Sequence, residues 1–159
     1  MDPDDRRRHL VRSARQVFAR KGYYQTSVAD LIQEAGVARG TFYNYFESKR
    51  AVFQEVLVIL GEELRTAALP IDVTEPIPPQ LRENVARVIR ACMRPEASKL
   101  LFAEAVGIDA EGDAALATFY ADCTARLAGS LRLGQGLGVV GEGDMDLVAH
   151  LLIGMAKGP

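Results

Sequence analysis

The chain has no tryptophan, only two cysteines and two histidines, and no apolar run long enough for a bilayer. Cys92 and Cys123 stand far apart with no C-x-x-C spacing, and with His9 and His150 they do not supply a zinc set. No metal or other cofactor is therefore expected, and the thiols read as small core residues in a reducing cytoplasm. The longest nearly apolar stretch, 147–156, contains His150 and is roughly half a membrane span, so a buried helix is expected and no membrane partner. Asp2, Asp4, Asp5, Arg6, Arg7 and Arg8 crowd the opening segment and leave no room for the apolar centre of a signal peptide. A cytoplasmic chain is the expectation. Phosphate loops, paired metal ligands and a nucleophile elbow are all missing. The best enzyme-like set would be Cys92 or Cys123 with His150, and a chain that is not an enzyme is expected.

What is present suits one folded unit: 159 residues, 48% apolar and 25% charged, enough for a single sizeable core. The net charge of -2 conceals an asymmetry, since residues 1–50 hold ten Lys and Arg against six acids while the remainder hold nine against fifteen. A basic head on an acidic body is the distribution expected when only one end meets phosphate.

Leu10, Val11, Ala14, Val17 and Phe18 share one face of a helix expected over 8–21, which Gly22 ends. Ser27 and Asp30 read as a capping box for a short second helix carrying Leu31, Ile32 and Ala35. Gly36 then supplies a left-handed turn, Val37 plugs the angle, and a third short helix is expected from about Ala38 to Tyr45. Ser48 caps a fourth helix whose stripe is Val52, Phe53, Val56, Leu57, Leu60 and Leu64. Prolines at 70, 76, 78 and 79 make 68–79 a loop, and further helices are expected over 81–93, 96–106, 114–133 and 144–157. No strand and no repeat emerges. The fold class is all-α: a three-helix helix-turn-helix head, residues 1–48, on a helical-bundle regulatory body, residues 49–159, for ligand binding and dimerisation.

Two short helices about a glycine turn, preceded by a longer amphipathic helix, form the arrangement whose later helix lies in a DNA major groove. Phe42 and Phe46, four apart, face inward and turn Arg39, Gly40, Thr41, Tyr43, Asn44 and Tyr45 outward. A helical glycine costs about 1 kcal/mol relative to alanine, and close approach of the backbone to a ligand is one reason to keep it. Arginine bonds guanine and asparagine bonds adenine through paired hydrogen bonds, while Thr and Tyr reach phosphate oxygens or the thymine methyl. The alternative is that Tyr43 and Tyr45 pack on neighbours and Asn44 caps a helix. Lys49 and Arg50 lie at the positive end of the fourth helix's dipole, where acids are preferred. A phosphate docked on the free N–H groups beside Lys49 resolves that conflict; a tolerated exposed basic pair is the other reading. Arg6 to Arg8 form a basic arm for adjacent phosphate, or a solvated tail.

Thr26-Ser27-Val28, Ala35-Gly36-Val37, Gly40-Thr41-Phe42-Tyr43, Tyr45-Phe46 and Ser48-Lys49 together resemble the N-terminal signature of the TetR family of regulators. The resemblance implies a cytoplasmic, homodimeric, mostly repressing regulator whose helical body binds a small inducer. It implies that Arg39, Gly40, Tyr43 and Asn44 approach bases and that Ser27, Thr41, Tyr45 and Lys49 hold phosphates. Arg50 and Ala51 depart from the acidic residues frequent after that lysine, which leaves phosphate binding intact. The body resembles the family in helix pattern only. Its pocket candidates are therefore the polar, sulfur-bearing and aromatic residues Arg90, Cys92, Met93, Phe102, Phe119, Tyr120 and His150, each of which reads first as plain core. The family has one more helix after the segment that here ends in Lys157-Gly158-Pro159, and that helix completes a four-helix dimer interface. Either the sequence stops short of the natural end or the dimer is built differently. Leu147, Val148, Leu151, Leu152 and Met155 form an apolar face expected to meet its symmetry mate.

The expected partners are double-stranded DNA with a palindromic operator, a second copy of the chain and a small-molecule effector. Two heads would fit successive major-groove faces about 34 to 36 Å apart. An effector that prefers a body shape with misplaced heads weakens binding by about 1 to 3 kcal/mol, with the fourth helix as lever. A helical protein-interaction module that binds no DNA is the competing expectation, and salt dependence separates the two.

Overall fold

The computed structural model describes the backbone of residues 2–102 and 110–157 and the side chains of residues 2–100 and 114–155. Among the described residues every regular element is helical: α1 (Pro3–Lys21), α2 (Val28–Ala35), α3 (Arg39–Tyr43), α4 (Lys49–Ala67), α5 (Ile77–Cys92), α6 (Pro95–Phe102), α7 (Ala110–Gly136) and α8 (Met145–Lys157). No helix among them is long and apolar enough to cross a membrane.

α1 begins at Pro3 rather than near Arg8. Asp2 accepts the Asp4 N–H, Pro3 opens the helix, and Asp4 and Asp5 complement its positive end. The apolar period starts only at Leu10, so hydrophobic spacing carries no signal for those first turns. The capping box at Ser27 is present, and Gly36 adopts φ 60°, ψ 34°, its N–H turned back to the Gln33 and Ile32 carbonyls. α3 ends at Tyr43, earlier than expected, where the Tyr45 N–H tightens onto the Phe42 carbonyl at 3.0 Å; the Phe46 N–H shares that carbonyl and Phe46 lies in the core. α5 starts before the expected 81: Pro78 and Pro79 fall inside its opening turn, where no N–H partner is missed. α7 likewise extends beyond the expected 114–133.

One apolar cluster runs through the molecule. Phe18 meets Phe53 edge-on at 5.1 Å, Tyr23 lies 4.4 Å from Phe53, and Phe42, Leu31 and Leu60 are almost fully enclosed. The same cluster continues through Ala97 and Leu100 of α6 and Ala115, Leu116 and Phe119 of α7. α4 thus belongs to head and body together, and the expected boundary after residue 48 is a helix cap rather than a gap in packing. Two forked ion pairs tie α4 to α1, Arg7 to Glu55 and Arg15 to Glu63, each spanning 48 residues of sequence. The equal offset puts the rungs eight residues, about 12 Å, apart on both helices and holds them in one register.

Candidate nucleic-acid interface

Two buried phenylalanines, Phe42 in the short α3 and Phe46 just after it, divide the inner side from the outer. Phe42 and Phe46 are 1% and 2% exposed, and that placement leaves Arg39, Gly40, Tyr43 and Asn44 on the open side. The Arg39 guanidinium lies 5.6 Å over the Tyr43 ring, which itself meets Phe42 edge-on. Tyr43 is thus braced from beneath while its outer edge stays in water. At Gly40 an added β-carbon would meet nothing within 4 Å. The fold itself gives no reason for glycine there.

Four expected phosphate holders fare differently. Thr41 is half-buried on α3. Tyr45 is not turned outward as expected but packs partly on the core, because the chain has already left the helix, and its carbonyl accepts Arg7 Nη1 at 3.3 Å. Ser27 is exposed, but its hydroxyl donates to Asp30 Oδ2 at 2.8 Å and accepts the Asp30 N–H at 3.2 Å. Its own N–H also goes to Asp30 Oδ2, so both donors of Ser27 serve the capping box here. Lys49 donates from Nζ to the Tyr23 carbonyl at 3.0 Å and stands 4.1 Å from the centre of that ring. The cation at the wrong end of a dipole therefore has an internal anchor.

The basic arm is also corrected. Arg6, Arg7 and Arg8 are part of α1, where Arg8 pairs with Asp5 and Arg7 forks onto Glu55 while covering the Phe46 ring at 4.7 Å. The sequence offered Arg7 only for phosphate and gave His9 no part in this interface, yet Arg7 fixes the end of the α3 turn, and His9 donates from Nε2 to the Ala35 carbonyl at 2.9 Å, at the last turn of α2. The Asp2-Pro3 start, with acids behind it, was the signal that could have placed Arg7 on the helix that already held His9. Across the head, Lys21 pairs with Asp30 and Arg20 with Glu34. The Lys21 ammonium, helped by the Ser27 N–H and hydroxyl, holds the Asp30 carboxyl far below the usual carboxylate range.

In the body the expected pocket residues do not form one site. Arg90 is exposed and paired with Glu83, Met93 is 65% exposed, and His150 is exposed with Nδ1 donating to the Asp146 carbonyl. Each of the three lies on the outward side of its element rather than in the core, Met93 continuing an exposed stripe of Leu81, Val85 and Ile89 on α5. Phe119 is buried, and Cys92 and Tyr120 are half-buried against the core beside Cys123. Burial, with the two thiols nearby, pushes the Tyr120 hydroxyl up to about 12. Burial also pushes both thiols up, opposite to the lowering that activates a cysteine. The Phe102 side chain lies outside the described residues. A cleft of about 290 Å³ does open between α1, α4, α5 and α6, lined by Arg15, Leu60, Glu63, Leu64, Ala91, Arg94 and Ala97 among others. None of the six expected residues whose side chains are described lines it. On α8, Leu147, Leu151, Leu152 and Met155 are exposed and Val148 is half-buried. Among the described residues no group of three His, Cys, Asp or Glu could hold a metal ion.

Residues 10–56 match the family model described as bacterial regulatory proteins, tetR family. The transcriptional repressor DhaR of Mycobacterium sp. (strain GP1) is 47% identical over 51 residues, 32% of this chain and 26% of that protein. The regulator AcrR of Shigella flexneri is 26% identical over 102 residues, 63% of this chain and 47% of that protein. The chain thus spans about a quarter to a half of the curated relatives it matches. Among solved structures, a TetR-family regulator from Syntrophomonas wolfei superposes with a TM-score of 0.77 at 22% identity, covering 98% of this chain and 81% of that one. FadR from Bacillus subtilis, solved in complex with stearoyl-CoA, gives 0.76 at 21% identity, covering 94% and 82%.

Proposed function

We propose, from the match of residues 10–56 to the tetR family model and the likeness of the fold to solved TetR-family regulators, that the chain is a sequence-specific DNA-binding transcriptional regulator released from its operator by a small molecule. The observation that carries this reading is the open edge of α3, where Arg39, Gly40, Tyr43 and Asn44 stand together in water on a rigid head. An arginine and an asparagine on such an edge suit guanine and adenine, and Gly40 admits the closest approach of backbone to duplex. Lys49, and Thr41 where the α3 flank meets the backbone, serve phosphates. The effector site belongs to the body; the stearoyl-CoA complex of the similar FadR fold supports a body able to take a small molecule. The exposed apolar face of α8 suits a second copy, which would set two heads on one palindrome.

Selection of bound duplexes from a random-sequence library with the purified chain, followed by salt titration of the winner, tests the reading. Binding should fall with a log-log slope of about -0.9 per phosphate contact. A flat response, or no enrichment, would sink it in favour of a protein partner. Within that assay, Tyr43→Ala should relax the preference at particular base positions by about 1 to 3 kcal/mol. Lys49→Ala should instead weaken all sequences alike.

A further inference from the structure

No residue of α5 is fully buried, yet the helix carries an apolar ridge: Leu81, Val85 and Ile89, continued by Met93 just past its end, are all exposed. They stand at steps of four residues over about 18 Å, one i±4 row of the helix surface. The adjoining row, one position on, is Arg82, Ala86, Arg90 and Arg94. Glu83, the one acid in α5, is already shared by Arg87 and Arg90 at 3.1 and 2.8 Å. The ridge therefore has a positive flank, and neither α4 nor α6, on which α5 packs, covers it. α8 offers the complement. Leu147, Leu151 and Met155 repeat at the same four-residue step and are exposed, and the helix begins among acids. Asp144 caps it through Oδ1, Glu142 precedes that cap, and Asp146 pairs with Arg132.

We propose that the α5 ridge of one copy receives α8 of a second copy, antiparallel, and that a two-fold axis repeats the contact. The inference rests on the reading that α8 meets a second copy, and it names the surface α8 meets. Charge selects that surface. Pairing α5 with its own symmetry mate would set the row of Arg82, Arg90 and Arg94 against itself. Pairing α8 with its own mate would leave the α5 ridge bare in both copies. α5 against α8 of the second copy covers all four ridges with two equal contacts, the isologous pattern of a closed dimer. Charge also selects the direction. The antiparallel register that sets Leu147 opposite Ile89, Leu151 opposite Val85 and Met155 opposite Leu81 brings Asp144 between Arg90 and Arg94. A parallel register carries Asp144 to the other end of α5. Two i±4 ridges interlock at a crossing angle of about 50°. Within one copy α5 packs on α4, α4 on α7 and α7 on α8, so the two bare helices end opposite sides of one series. A two-fold rotation that brings α5 to α8 of the second copy joins the reciprocal pair as well.

Two single variants and their mixture test the pairing in sedimentation equilibrium without DNA, which keeps the outcome apart from the DNA reading. Val85→Glu spoils the α5 ridge and leaves α8 whole; Leu151→Lys does the reverse. Both side chains are more than half exposed, so each copy keeps its fold. Either variant alone should raise the dimer dissociation constant about a hundredfold, because its charge is buried in both contacts. Mixed in equal amounts, the two should form heterodimers with a constant within about tenfold of the parent's. One contact of that heterodimer is intact, and in the other the two introduced charges attract. A mixture that stays monomeric overturns the proposal. So does a Val85→Glu chain that pairs as tightly as the parent; if Leu151→Lys is weakened in that case, the reading of α8 stands and α5 is not its partner. A parent that is monomeric at every concentration overturns both.

Discussion

Gly40 separates what folding needs from what binding needs. It is the second residue of α3, its β-carbon space is empty, and no positive φ demands glycine. Gly40→Ala should therefore raise the stability of the free protein by up to about 1 kcal/mol while weakening DNA binding through the added methyl. A thermal melt and a duplex titration on the same sample check both signs, and a variant that binds as tightly as the parent removes the reason offered for glycine. Its neighbours show how far single residues could be read. The four-residue step from Phe42 to Phe46 was enough to place both inward and Tyr43 outward. Ser27, Tyr45 and Lys49 were harder, because each has a competing partner inside the head: Asp30, the Arg7 guanidinium and the Tyr23 carbonyl.

Among helices, the α1–α4 pair carries a dependence on pH. The Arg15 guanidinium holds the Glu63 carboxyl below its ordinary value of 4.5, and Arg20 does the same for Glu34. A folded value below the unfolded one contributes stability that is present above 4.5 and is lost as pH falls through the lowered value. Melting temperature should accordingly drop on acidification, and Glu63→Gln should flatten that drop. At neutral pH the substitution should cost no more than about 1 kcal/mol, since the pair is partly exposed and screened. A Glu63→Gln curve parallel to the parent's at every pH would show that the rung contributes nothing. The helices themselves were legible, but their ends shifted. Pro3, Pro78 and Pro79 open helices in the structure, whereas the spacing of apolar residues begins turns later.

The open α8 face concerns the assembly. Leu147 and Leu151 are each 57% exposed and Met155 is 70% exposed, one turn apart along the helix. If this face pairs two copies, Leu151→Glu should convert a dimer to a monomer in sedimentation equilibrium, and affinity for a palindromic duplex should fall toward that for a half-site. An unchanged sedimentation profile would place the pairing elsewhere. α8 itself is anchored on α7, where Arg132 grips Asp146 with both contacts at 2.7 Å. The substitution should thus leave the fold of each copy in place.

Local information was enough for the helical class, the Gly36 turn, the Ser27 and Ser48 caps and the buried phenylalanines, because each depends on residues a few positions apart. It was not enough for the ion-pair rungs at Arg7 and Arg15, the anchor of Lys49, or the outward placement of Arg90, Met93 and His150. Those turn on which side of a helix meets a neighbour, and the neighbour is supplied by residues as much as 48 positions away, brought within bonding distance only when the helices pack.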